Sequence, residues 1–189
     1  MPVNGRLNAI LVHGMDETSA WWEPIQPLLE KLGVTCRAVS MPSLEEAGPE
    51  GWVDYILQQL PSTPVILIGH SLGAAVCAQA AAQRPVAGVI LLACPLSMEG
   101  LLPKAPDAAQ RSLTEWSRIG LFLMRTATST KHLSMDVVHF VGEEDPWVSV
   151  QAAEKGPFPL VAIPSAGHQL NGSNRFRKAL VHYLVQSPY

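Results

Sequence analysis

The chain carries little charge and little of what binds polyanions. Only 15% of its 189 residues are charged, and 13 Lys and Arg stand against 16 Asp and Glu, for a formal net charge of −3. The basic residues are scattered, so no patch forms for phosphate backbones or anionic lipid, and nucleic acid and membrane surfaces are not expected as partners. Cysteine is scarce too. Cys36, Cys77 and Cys94 are an odd number, sit in apolar surroundings and form no C-x-x-C pair, which suits a reduced compartment. No histidines have metal-ligand spacing such as H-E-x-x-H, so no metal is expected. Long apolar runs are missing as well: the stretch from Val86 to Cys94 is interrupted by Gly88 and reaches about half of the ~20 residues a bilayer requires. The segment from Met1 to Leu11 turns apolar only at Ala9, too late and too briefly for a secretory signal. The expectation is a cytoplasmic protein.

What is present is an ordinary globular composition, 48% hydrophobic and free of low-complexity tracts, in a length that folds as one domain, 1–189. Short β-branched runs alternate with longer segments of helical spacing, which is the pattern of an α/β fold with a mostly parallel sheet of about six strands and helices on both faces. Strands are expected at 8–12, 35–39, 65–68, 88–93, 136–141 and 160–163, all nearly continuous apolar runs as burial on both faces requires. Helices are expected at 21–32, 50–60, 72–83, 107–124, 149–154 and 173–186. Pro27 is placed to delay or kink the first of these, and Gly48-Pro49 reads as a turn. The segment 95–134, opened by Pro95, Pro103 and Pro106, interrupts the rhythm and is where a short cap would lie. Nothing in the sequence specifies an oligomeric state.

The strongest local signal is Gly69-His70-Ser71-Leu72-Gly73, a G-x-S-x-G motif directly after an apolar run and directly before an Ala-rich helix. A nucleophile on a tight strand-to-helix turn needs its flanking side chains removed, and Gly69 and Gly73 remove them. The helix N-terminus then offers N–H groups and partial positive charge to a reacting carbonyl. The motif alone also fits an ordinary turn, so its context decides. A serine hydroxyl needs a base, and the base needs an orienting acid. Asp145 follows the strand run 136–141 and His168 follows the run 160–163, both at carboxyl ends of strands, where open α/β sheets build their sites. Glu143 and Glu144 compete with Asp145 for the acid role, and Asp145 could equally cap the helix after it; its place before Pro146 favours it as the acid.

With Ser, Asp and His in that order, the sequence resembles the α/β-hydrolase fold from Ile10 to its last helix. The resemblance implies Ser71 as nucleophile, His168 as general base and Asp145 as the residue orienting it. It further implies His13-Gly14 as the oxyanion segment, with the backbone N–H groups of Met15 and Leu72 as the oxyanion donors. Within that fold the chain is similar to the small, cap-poor serine hydrolases of the retinoblastoma-binding-protein-nine type, in its length and in Met41-Pro42, Asp145-Pro146-Trp147 and Gly167-His168. It departs from them in having His13-Gly14-Met15 where a Pro-Gly-Asn-Gly-like loop is expected.

Trp21, Trp22 and Trp147 either line an acyl pocket or pack in the core; Leu96, Met98 and Leu170 are further candidates for the pocket wall. His13, His70, His132, His139 and His182 read as structural, and Cys77 as a buried, inert thiol. The expected activity is cofactor-free hydrolysis of a small-molecule carboxylic ester or related acyl compound through an acyl-serine. Thioesterase, amidase, perhydrolase or lyase chemistry could use the same residues, and a binding module on the same scaffold is the alternative from another class.

Overall fold

The computed structural model describes residues 7–96 and 112–187, apart from the side chains of Leu113 and His132. Its strands are β1 (Leu7–Val12), β2 (Val34–Val39), β3 (Val65–His70), β4 (Gly88–Leu92), β5 (Asp136–Gly142) and β6 (Leu160–Ile163). They form one six-stranded sheet in the order β2-β1-β3-β4-β5-β6, and every pairing is parallel. Side chains alternate across it. Ile10, Val12 and Leu67 face one helix layer, while Ala9, Leu11, Ile66 and Ile68 face the other.

The first layer holds α2 (Leu44–Gln59), α3 (Leu72–Gln83) and α4 (Leu113–Ser129); the second holds α1 (Gln26–Lys31) and α6 (Asn174–Gln186). A short helix, α5 (Val150–Glu154), follows β5. Because β2 and β3 flank β1 on opposite sides, the chain reverses its direction of progress across the sheet between β1 and β3. The carboxyl ends of those two strands flank the crevice where open α/β sheets hold their ligands.

The strands follow the expected runs within two residues, and the helices differ more. The expected helix at 21–32 is divided into a 3-10 turn at Ser19–Trp22 and α1, with Pro27 in the first turn of α1, where its missing N–H costs nothing. α2 begins six residues earlier than expected and carries a break at Gly48, whose φ of 67° fits the turn expected there. α4 starts from a capping box in which Ser112 and Glu115 each bond the other's backbone N–H. It runs on to Ser129, and the hydroxyls of Thr126, Thr128 and Ser129 bond carbonyls four residues back within it. α4 buries Trp116, Ile119, Phe122 and Leu123 against the sheet-facing layer. The remainder of the suggested cap, 97–111, lies outside the described residues, as does the expected start of that helix at 107. Among the described residues no helix is long and apolar enough to cross a membrane.

Candidate active site

Ser71 stands between β3 and α3 with φ 52° and ψ −124°, a backbone conformation that costs of order 1–3 kcal/mol and persists only where the surroundings impose it. The surroundings are backbone. A Cβ on Gly73 would overlap the His13 carbonyl oxygen and lie 2.6 Å from that of Val12; one on Gly69 would lie 2.6 Å from the Ala74 nitrogen. The Ser71 N–H is tied to the Leu92 carbonyl at 2.8 Å. Since backbone cannot step aside as a flexible side chain can, Gly73→Ala is expected to destabilise the fold by on the order of 3 kcal/mol. Thermal melting should register this as a drop of roughly 6–12 °C.

The loops after β5 and β6 bring their residues to this turn. Nε2 of His168 is 3.0 Å from Ser71 Oγ, and its Nδ1 is 2.9 Å from Asp145 Oδ2. The other carboxylate oxygen of Asp145 accepts the N–H groups of Trp147 (2.8 Å) and Val148 (2.9 Å), which fixes the carboxylate in a fully buried position. Trp147 stacks on the His168 ring at 4.8 Å. Ser71, Asp145 and His168, far apart in the chain, thus form one continuous hydrogen-bonded row. Such a row can move a proton from the serine hydroxyl to the imidazole while the acid stabilises the charge that forms. Glu143 and Glu144 are exposed and take no part in it.

The loop after β1 closes on the same point. Gly14 presses against Ser71 so closely that a Cβ there would lie 2.9 Å from Ser71 Cβ. His13 accepts the Met41 N–H at Nε2 (3.1 Å), so its Nδ1 carries the proton and donates to the Gly14 carbonyl at 2.8 Å. In a trans peptide this turns the Met15 N–H the opposite way. Leu72 is the first residue of α3, with an N–H that has no partner inside the helix.

Below the loop of Asp145, His139 accepts the Cys94 N–H at Nε2, and its buried Nδ1 has no partner among the described residues. Burial pushes its pKa down to about 3, against the pull of the Asp145 charge, so this imidazole is neutral. Burial likewise pushes the thiols of Cys77 and Cys94 up, which leaves them unreactive.

Leu96 and Trp147 meet in a small hollow with Cys94, Pro95, Val148 and Ala152. Trp22 and Leu170, expected in the pocket wall, are instead wholly buried in the core on the α1 and α6 side, packed with Ile25, Phe176 and Leu180. The reason is local: the 3-10 turn points Trp22 under the sheet, and a second 3-10 turn at Leu170–Gly172 does the same for Leu170. Met98 lies outside the described residues. Sequence reasoning missed Glu17, which joins His70 and Gly14, and Gln169, which bonds both Glu17 and Trp21. An acid after His13-Gly14 was the only signal, and acids are ordinary in turns.

A family model described as the alpha/beta hydrolase family matches residues 9–138. The chain belongs to the alpha/beta hydrolase family. Solved structures of similar fold include the monoacylglycerol lipase of Paleococcus ferrophilus, 20% identical, with 94% of this chain and 93% of that chain covered and a TM-score of 0.74. The thioesterase domain from the curacin biosynthetic pathway is 16% identical over 96% of this chain and 91% of its own, with a TM-score of 0.71. Polyneuridine aldehyde esterase is 16% identical over 95% and 100%, with a TM-score of 0.70. No curated protein matches this alpha/beta hydrolase at a significant level.

Proposed function

We propose that this alpha/beta hydrolase cleaves a small carboxylic ester or related acyl compound through an acyl-Ser71 intermediate. The observation that carries the reading is the unbroken row of Ser71 Oγ, His168 and Asp145, with contacts of 3.0 and 2.9 Å. Ser71 Oγ attacks the acyl carbonyl while His168 Nε2 takes its proton. The oxyanion that forms accepts hydrogen bonds from Met15 and Leu72 N–H, next to the positive end of α3. As the tetrahedral intermediate collapses, His168 returns the proton to the leaving alcohol. Water then repeats the sequence on the acyl-enzyme, and the carboxylic acid leaves with Ser71 restored. No step calls for a cofactor. The apolar hollow of Leu96 and Trp147 suits an uncharged acyl group. A cytoplasmic setting fits the free Cys36, Cys77 and Cys94, and the likeness to the retinoblastoma-binding-protein-nine branch rests on the sequence segments already named.

The test is intact mass after incubation with a fluorophosphonate, followed by peptide mapping. One adduct, on Ser71, is the expected result; a folded protein that forms none overturns the reading and favours a binding module on this scaffold. Matched oxygen-ester, thioester and amide substrates then identify the bond cleaved. Thioesterase chemistry is on that panel because the curacin domain, named a thioesterase, has a similar fold.

A further inference from the structure

Glu17 lies one turn beyond the oxyanion loop, 14% exposed, with its carboxylate surrounded by groups from three parts of the site. Oε2 accepts the Gly14 N–H at 2.7 Å and lies 2.9 Å from His70 Nδ1, while Oε1 accepts the side-chain amide of Gln169 at 3.1 Å. Gln169 in turn accepts Trp21 Nε1–H, and the Trp21 ring stacks on His70 at 4.1 Å. On its far side, His70 Nε2 is 3.0 Å from the backbone carbonyl of His168.

The donors and acceptors can be counted. A backbone carbonyl only accepts, so His70 Nε2 carries a proton. A neutral imidazole then has a bare Nδ1, and an ionised carboxylate opposite it would set lone pair against lone pair at 2.9 Å. The contacts close when one further proton lies between Nδ1 and Oε2, so Glu17 and His70 act as a single unit. Burial works to raise the Glu17 pKa and lowers that of His70; the hydrogen bond and charge of His70, with Gln169 and Gly14, hold the Glu17 carboxyl below its ordinary value.

We infer that Glu17 is a positioning residue: through Gly14 it sets the oxyanion loop, and through His70 and Gln169 it seats the loop that carries His168. The inference rests on the hydrolase reading above. It follows from the contacts because Gly14 has its N–H held by Glu17 and its carbonyl held by His13, so both peptide planes around it are set. His70 holds the His168 carbonyl, and Glu17 holds the side chain of the next residue.

Glu17→Gln tests it, because an amide cannot serve all these partners. With its oxygen toward Gly14 and His70, its NH2 faces the NH2 of Gln169; reversed, its NH2 faces the Gly14 N–H. Gln169 cannot flip in compensation without turning its own NH2 on Trp21 Nε1–H. A misplaced oxyanion donor and base act on the transition state rather than on substrate binding. The variant should therefore lose about 10- to 100-fold in kcat on an activated ester, with KM within about twofold of the parent. The exchange Glu17→Gln with Gln169→Glu restores acceptors for the Gly14 N–H and Trp21 Nε1–H and the bond between residues 17 and 169, but sets an amide oxygen opposite His70 Nδ1 in place of the carboxylate; it should recover about three- to tenfold of that loss, which a simple packing defect would not. Gln169→Ala, a milder change, should lower kcat by about three- to tenfold at constant KM and serves if Glu17→Gln does not fold. A Glu17→Gln enzyme with kcat within about twofold of the parent overturns the inference, as does an exchange that restores nothing. A parent protein inert to both esters and fluorophosphonate overturns the hydrolase reading itself, so the two failures are distinguishable.

Discussion

Asp145→Asn is expected to lower kcat/KM by about 10⁴-fold with little change in melting temperature. The asparagine oxygen can keep the N–H groups of Trp147 and Val148, which hold this side chain in place. Its NH2 then occupies the position of Oδ2 and points a donor at His168 Nδ1. Only the tautomer with a bare Nδ1 accepts that bond, and in it Nε2 carries the proton and presents an N–H to Ser71 Oγ. A protonated Nε2 cannot take the serine proton, so attack fails although every atom stands where it did. Steady-state kinetics on an activated ester, with thermal melting alongside, check this. A loss below about tenfold would mean that Asp145 does not determine the tautomer.

Ser71→Ala is expected to reduce turnover by about 10³- to 10⁶-fold and to eliminate the fluorophosphonate adduct. Alanine shares serine's Cβ and its strain at φ 52°, so the turn should keep its shape and the loss should belong to the missing hydroxyl. His168→Ala should cost a similar factor, and the double variant no more than either single one, because nucleophile and base contribute to one step. Kinetics on the two single variants and the double variant test this non-additivity. On the proposed mechanism, what activity is left comes from the proposed oxyanion donors, the Met15 and Leu72 N–H groups, and from binding.

The site was legible wherever a residue's role depends on its place at the end of a strand. Ser71, Asp145 and His168 each follow a short apolar run at the carboxyl edge of the sheet, and parallel connection sends all such ends to one side. The pocket wall was not legible in the same way. Trp22 lies close in sequence to His13-Gly14, yet a 3-10 turn sends it into the core, and no periodicity distinguishes that path from one that lines a cleft. The end of α4 was equally hidden: the helix expected to stop at 124 continues through Thr126, Thr128 and Ser129, whose hydroxyls bond the preceding turn.

By itself, then, the sequence determined the parallel α/β sheet, the serine turn and the chain order of acid and base, because these depend on local periodicity, on glycine at sterically closed positions and on strand ends. Only the tertiary structure decided that Glu17 meets His70 across 53 residues and Gln169 across 152. A hydrogen bond between side chains so distant leaves no pattern in the neighbouring sequence, since its partners become neighbours only after the sheet has brought the ends of β1, β3 and β6 together.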